Sequence, residues 1–261
     1  MEASFPIQDF RAFSHENRFV TAPDTIDGKN ADALRQISNS FRENGFDLTG
    51  HFTDSRFEVY DGIGNRFRGS AERRTLSIQE YKGVLRYDDK KGLIREFILE
   101  HETELNRAEL EYGIPRYVIA AILGIESDYG QNIGRFNPFN AYVSMIVEDY
   151  RAPFATAQLE ELLKFVERNE IDVFDLKSSY AGAISFAQFI PYSLNRWFVG
   201  DDVFDMTNNI HSVANYLAHF KEITGSVEEA VFRYNPSRMY TRAVMDLAEE
   251  AERLMATADA R

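Results

Sequence analysis

Apolar residues recur along this chain at intervals of three and four, the spacing that gathers them on one side of an α-helix. From Asn30 to Asn44 the stripe is Ala33, Leu34, Ile37 and Phe41, with Asn30 or Asp32 near its start and Gly45 placed to end it. Residues 50–75 keep no sustained period, and Gly62, Gly64 and Gly69 among Phe and Tyr fit loops, short strands or a broken helix. Ser77 followed three residues later by Glu80 has the form of a capping box, and Tyr81, Leu85, Leu93, Phe97, Ile98 and Leu105 carry the helical pattern onward. A long helix is therefore predicted through Leu93–Tyr112. Pro115 suits the first turn of the next helix, where Val118, Ile119, Ala121, Ile122 and Ile125 are crowded enough to require burial on most sides. That helix runs into Glu126-Ser127-Asp128-Tyr129-Gly130.

Downstream, helical periods mark 139–150, 153–169, 210–223, 227–234 and 238–255, with Gly200, Gly225 and Pro236 at the joints. Strand patterns are poor, and neither a fixed repeat nor a low-complexity linker is present. The expectation is an all-α, mainly helical protein of two packed lobes: an irregular N-terminal arm over 1–29, interrupted by Pro6, Pro23 and Gly28, a helical lobe over 30–95, and a core over 96–261.

With 44% hydrophobic and 27% charged residues, a chain of 261 residues can bury a large core without crosslinks. Aromatic residues reach 13%, most of them Phe and Tyr, which serves core packing first and stacking against flat sugar rings second. The formal charge of −13 argues against nucleic acid or an anionic membrane surface as partner. The absence of cysteine removes disulfides, thiolate metal sites, a Cys nucleophile and a lipid-accepting thiol. No stretch approaches the roughly 18–20 apolar residues of a membrane span. Met1–Val20 mixes acids, Pro and scattered aromatics without a basic start and apolar run, so it does not read as a signal peptide.

Among residues that can carry chemistry, Glu126 stands at the C-terminal end of an apolar helix. Burial and the negative end of the helix dipole would both oppose its ionisation and make it a proton donor near neutral pH; fully solvated, it would be an ordinary helix-end residue. Asp128 is turned about 200° from it on an ideal helix, so the two make a poor carboxylate dyad unless the helix ends between them. Tyr129-Gly130 reads as a capping turn whose tyrosine either closes the helix or lines a cleft. In the run Ser179–Pro191, small residues serve close helix packing or, alternatively, a sugar-binding wall using Ser179, Gln188 and backbone groups. Tyr234-Asn235-Pro236-Ser237, with Tyr240 behind it, is by itself a helix stop, a turn and an Asn or Ser cap. His15, His51, His101, His211 and His219 form no tight metal-binding pair, and no Gly-rich phosphate loop is present, so neither metal nor cofactor is expected.

Taken in order, Tyr112-Gly113-Ile114-Pro115, Glu126-Ser127-Asp128-Tyr129-Gly130, Ala181-Gly182-Ala183 with Gln188-Phe189-Ile190-Pro191, Ser212-Val213-Ala214-Asn215-Tyr216 and Tyr234-Asn235-Pro236-Ser237 resemble the membrane-bound lytic transglycosylase B family, glycoside hydrolase family 103. The resemblance covers residues 95–245 well and 30–95 loosely. It implies a lysozyme-like catalytic core and cleavage of peptidoglycan between N-acetylmuramic acid and N-acetylglucosamine. In the family one glutamate, here Glu126, protonates the glycosidic oxygen and then takes a proton from the sugar's own 6-hydroxyl, giving 1,6-anhydro ends. By the same carry-over Ser179, Gln188, Tyr216, Tyr234, Asn235 and Tyr240 match sugar-binding cleft positions, and Tyr129 matches the motif tyrosine. The partners implied are peptidoglycan glycan strands, met by a monomeric, exported protein, periplasmic or secreted.

Three departures from the family pattern stand out. Ile184-Ser185 replaces the usual Met-Gly, which adds Ser185 to the candidate substrate-binding wall. The calcium loop is shortened to Gly200-Asp201-Asp202-Val203-Phe204-Asp205, so no calcium is expected. The acidity of the chain fits either a solvated acidic surface or a preference, through Asp128, Asp149 or Asp201, for deacetylated glycan bearing free amines. The rival functions are a true lysozyme using water as acceptor and a noncatalytic glycan-binding protein.

Overall fold

The computed structural model describes residues 28–68 and 76–259, so Gly69 and all but the end of the predicted 1–29 arm lie outside the described residues. Helix α1 (Ala31–Glu43) buries Leu34, Ile37 and Phe41, the stripe read from the sequence. Gly45 follows at φ +91°, a left-handed value that costs glycine nothing. The patternless segment contains two short helices, α2 (Thr49–Thr53) and α3 (Ile63–Arg68), neither long enough to display a period. Polar docking holds this segment. The amides of Gly62, Ile63 and Gly64 donate to the Glu148 carboxylate, the Tyr60 amide donates to Ser144 Oγ at 2.8 Å, and Asn140 Nδ2 donates to the Arg56 carbonyl at 3.0 Å.

Helix α4 (Ile78–Val84) opens on the predicted capping box, Ser77 and Glu80 each accepting from the other's backbone amide. The single helix predicted through Leu93–Tyr112 is instead two, α5 (Tyr87–Glu100) and α6 (Glu102–Tyr112), which break at His101 with φ −111° and ψ 26°. No proline or glycine marks the break. Ile98 and Leu105, seven apart, are both fully buried, so the apolar period runs unbroken across the kink. Residue 95, where the lobes were expected to meet, lies inside α5, which packs on α4, α7 (Arg116–Ser127) and the last helix, α13 (Arg238–Asp259).

Helix α7 is the centre of the molecule. Pro115 caps it rather than entering its first turn, and every residue from Val118 to Leu123 is buried beneath α5, α6, α11 (Met206–Thr224) and α13. Complete burial of Ile119, Ile122 and Leu123 stabilises the fold by roughly 1.5–3 kcal/mol each. Helices α8 (Pro138–Val147) and α9 (Ala152–Arg168) pack together, α10 (Pro191–Trp197) lies on α9, and α12 (Val227–Tyr234) joins α11 to α13. Asn137, Asp205 and Ser226 cap α8, α11 and α12 by accepting amides of the first turn. Among the described residues extended backbone pairs only at isolated bridges, Phe136 with Ser178, Ser178 with Ile184 and Ile184 with Phe189. These bridges shape the 178–190 loop beside the end of α7.

Candidate active site

Glu126 occupies the last turn of α7, half-buried, with its carboxylate turned toward α13. Tyr240 donates its hydroxyl to Glu126 Oε1 at 2.6 Å. That phenol is 2% exposed, and burial first, then the Glu126 charge, holds its pKa well above 10. It therefore stays a hydrogen-bond donor through neutral pH. Tyr234 is perturbed in the same direction for the same two reasons, and its hydroxyl donates to the Ala187 carbonyl, tying α12 to the 178–190 loop. Tyr216 donates to the Arg233 carbonyl at 2.8 Å, and its ring, 4.9 Å from that of Tyr234 and 5.7 Å from that of Phe189, supports the cluster from behind.

The loop is itself held rigidly. Ser179 Oγ accepts the Ala183 amide at 3.2 Å, and Gln188, left-handed at φ +52°, donates from Nε2 to the Ser185 carbonyl at 2.9 Å. Both side chains stay partly open to solvent, as does Asn235, which caps the C-terminus of α12 in extended conformation. A fully buried asparagine, Asn209, accepts the Ala187 amide at 3.0 Å and donates to the carbonyls of Val203 and Asp205. Sequence reasoning passed over Asn209; a polar residue at the centre of an apolar helical stripe was the available signal.

Three expected cleft residues lie deeper than a cleft wall. Ser185 is wholly buried, and its hydroxyl accepts the Ala187 amide at 3.2 Å, so the substitution at this place adds a turn-forming contact inside the loop and no hydroxyl on its surface. Its φ of +74° is a glycine-like conformation held by a serine. Tyr129 also points inward, donating to the Lys90 carbonyl at 2.9 Å with its ring over Gly124, so it closes the helix rather than lining a cleft. Tyr216, too, is deep, 7% exposed with its hydroxyl occupied, and acts as a support for Tyr234.

Three carboxylates, Asp128, Asp202 and Asp205, are engaged. The helix ends at Ser127, and Asp128 then turns left-handed and pairs with the ammonium of Lys90, which leaves it no free charge for an amino sugar. Asp202 accepts the Phe204 amide at 2.8 Å and Asp205 caps α11, so these two acids of the shortened loop act in a turn and a helix cap. No cluster of three metal-ligating His, Asp or Glu residues occurs among the described residues.

The pattern of the transglycosylase SLT domain family matches residues 29–226. The chain belongs to that family. Within it, the membrane-bound lytic murein transglycosylase B of Escherichia coli (strain K12) is 33% identical to this SLT-domain chain over 124 residues, 45% of the chain and 34% of the relative. The alignment thus spans about a third of that curated protein's length. The soluble lytic transglycosylase SltB1 of Pseudomonas aeruginosa superposes with a TM-score of 0.76 at 25% identity, over 86% of this chain and 99% of the other. Slt35 of Escherichia coli, crystallised with calcium, shares the fold at a TM-score of 0.74 and 20% identity, over 92% of this chain and 97% of its own. Tyr234, Asn235 and Tyr240 lie beyond the region matched by the family pattern, and only the structure brings Tyr240 onto Glu126.

Proposed function

We propose that this SLT-domain chain cuts the glycan strands of peptidoglycan between N-acetylmuramic acid and N-acetylglucosamine, with Glu126 as its single acid/base. The observation that carries this reading is one carboxylate at the end of a buried helix, oriented by a buried phenol, with the next carboxylate along the chain, Asp128, engaged in an ion pair. A two-carboxylate hydrolase needs its second acid across the scissile bond. A lone acid suits a reaction whose acceptor lies within the substrate.

In the step proposed, the Glu126 carboxyl gives its proton to the bridging oxygen as the bond from that oxygen to the anomeric carbon breaks. The resulting carboxylate takes the proton of the muramic acid 6-hydroxyl, whose oxygen bonds to the anomeric carbon and closes the 1,6-anhydro ring. Tyr240 holds the carboxylate in place through both halves. Ser179, Gln188, Asn235 and the carbonyls of the 178–190 loop are positioned to bind the sugars, with Tyr234 bracing that loop. Support comes from the family membership and from SltB1 and the lytic murein transglycosylase B, both lytic transglycosylases by name. No helix among the described residues is long and apolar enough to cross a membrane. The protein is proposed to act as a monomer in an exported compartment, without cofactor.

Digestion of purified peptidoglycan followed by mass spectrometry of the fragments tests the proposal. Anhydro ends, lighter than reducing ends by about 18 Da, roughly one water, are expected from the wild type and none from Glu126→Gln. Reducing ends would identify a lysozyme, and release undiminished in Glu126→Gln would overturn the assignment of the acid. Binding without any release would identify a glycan-binding protein.

A further inference from the structure

Immediately after Glu126 the backbone makes two left-handed residues in succession, Asp128 at φ +50° and Tyr129 at φ +59°, neither of them glycine. Such conformations persist only where the surroundings over-determine them. Here the Asp128 and Tyr129 amides donate to the carbonyls of Gly124 and Leu123, which closes the helix, and one residue of another helix holds both side chains. Lys90 of α5 is 5% exposed, its ammonium pairs with the Asp128 carboxylate, and its carbonyl accepts the Tyr129 hydroxyl at 2.9 Å. The Tyr129 ring fills the space that Gly124 leaves open and meets Phe97 of α5 at 4.8 Å. Among the described residues Lys90 is the one buried lysine.

A buried ion pair is a poor device for stability alone, because desolvating both charges offsets their attraction and an apolar pair of like volume packs as well. Its value lies in where it puts charge and backbone. We propose that Lys90 is a positioning residue for Glu126: it clamps the turn that follows the acid by side chain and carbonyl together, and it neutralises the carboxylate two residues away. The inference rests on the reading of Glu126 as the proton donor.

The neighbouring charges leave this role to Lys90. Around α4, α5 and α13, Lys82 pairs with Asp246 at 2.7 Å, Lys91 with Glu250 at 2.8 Å and the exposed Arg86 with Asp89 at 2.6 Å. Toward Glu126, α12 and α13 present the uncharged phenols of Tyr234 and Tyr240. Where α6 and α11 meet, His211 stands 3.7 Å from Glu104 and 3.8 Å from Glu111.

pH–rate profiles of glycan release by the full chain test the assignment. A proton donor loses activity as pH rises through its ionisation, and an unpaired anion beside it delays that ionisation while an unpaired cation advances it. A unit charge at a separation on the order of 8 Å, with an effective dielectric constant between about 20 and 80, shifts the alkaline limb by about 0.4–1.5 pH units. Lys90→Met is expected to move the limb up by that amount with a fall in kcat and little change in KM. Asp128→Asn should move it down, and the double variant should restore the wild-type limb. A loss of packing alone cannot move the two single variants in opposite directions. If Lys90→Met does not fold, as judged by circular dichroism, the downward shift in Asp128→Asn carries the test. Limbs unmoved in the folded variants, or moved the same way, overturn the role of Lys90 while an inert Glu126→Gln leaves the proposed function standing. Activity retained by Glu126→Gln overturns both.

Discussion

Replacing Gly124 by alanine should destabilise this protein, although glycine to alanine inside a helix ordinarily stabilises by about 1 kcal/mol. Gly124 lies within α7, one turn before Asp128. A Cβ there would stand 2.5–2.7 Å from Cζ, Oη and Cε1 of Tyr129, about 1 Å inside the 3.5–4.0 Å optimum for such contacts. Both residues are buried, so the ring must give way. Overpacking of this kind costs about 1–3 kcal/mol, and moving the ring breaks the buried bond from Tyr129 to the Lys90 carbonyl for about 1–3 kcal/mol more. Set against the gain in helix propensity, the net loss is about 1–5 kcal/mol, a fall in Tm of roughly 2–20 °C for a chain of this size. The same displacement shifts the turn carrying Glu126 and should lower kcat/KM by roughly 10–100-fold. Melting followed by far-ultraviolet circular dichroism reads the first quantity and anhydro-fragment release the second. A variant that melts at or above the wild-type temperature would refute the packing account, because the propensity term alone would then be operating.

Tyr240→Phe keeps the shape of a buried ring and removes only the donor to Glu126, a charge-assisted bond of about 1.5–3 kcal/mol. A fall in kcat of roughly 10–100-fold with Tm within a few degrees of wild type is expected, and wild-type turnover would show that the carboxylate needs no such anchor. Stability should also respond to alkaline pH. Burial raises the pKa of Tyr129, Tyr142, Tyr216, Tyr234 and Tyr240, so above the unfolded tyrosine value of about 10 the unfolded chain binds fewer protons than the native one. The tyrosine contribution is thus fully present below about pH 10 and is lost as pH rises beyond it. Urea midpoints at constant ionic strength should hold level to about pH 9.5 and then decline, and a level midpoint at about pH 11 would contradict the burial of these phenols.

Legibility in the sequence followed the physics of each element. Helix α12 was read at its observed bounds, Val227–Tyr234, because Gly225 precedes it and Pro236 follows it, both local signals. The position of Glu126 at a helix end was legible for the same reason. The break at His101 left no trace, since a one-residue kink without proline or glycine preserves the apolar period on either side. Tyr129 was left open between closing the helix and lining a cleft, and Ser185 joined the candidate wall through the family resemblance; the structure satisfies both from backbone groups, which a linear pattern does not disclose. Lys90 was missed although a signal existed. Positions 90, 94, 97 and 98 share one helix face, and Ile94, Phe97 and Ile98 are all buried, so a lysine in that register had to find a partner inside.

The phenol that steadies the acid arrives on the last helix. Ala243, Val244, Leu247, Ala248 and Ala251 of α13 are buried, and that helix closes over α7 while bringing Tyr240 to Glu126. A ribosome making this polypeptide has therefore already released the acid and the 178–190 loop before α13 emerges. The nascent chain stays without the bond from Tyr240 to Glu126 until synthesis has passed Tyr240 and α13 has seated over α7.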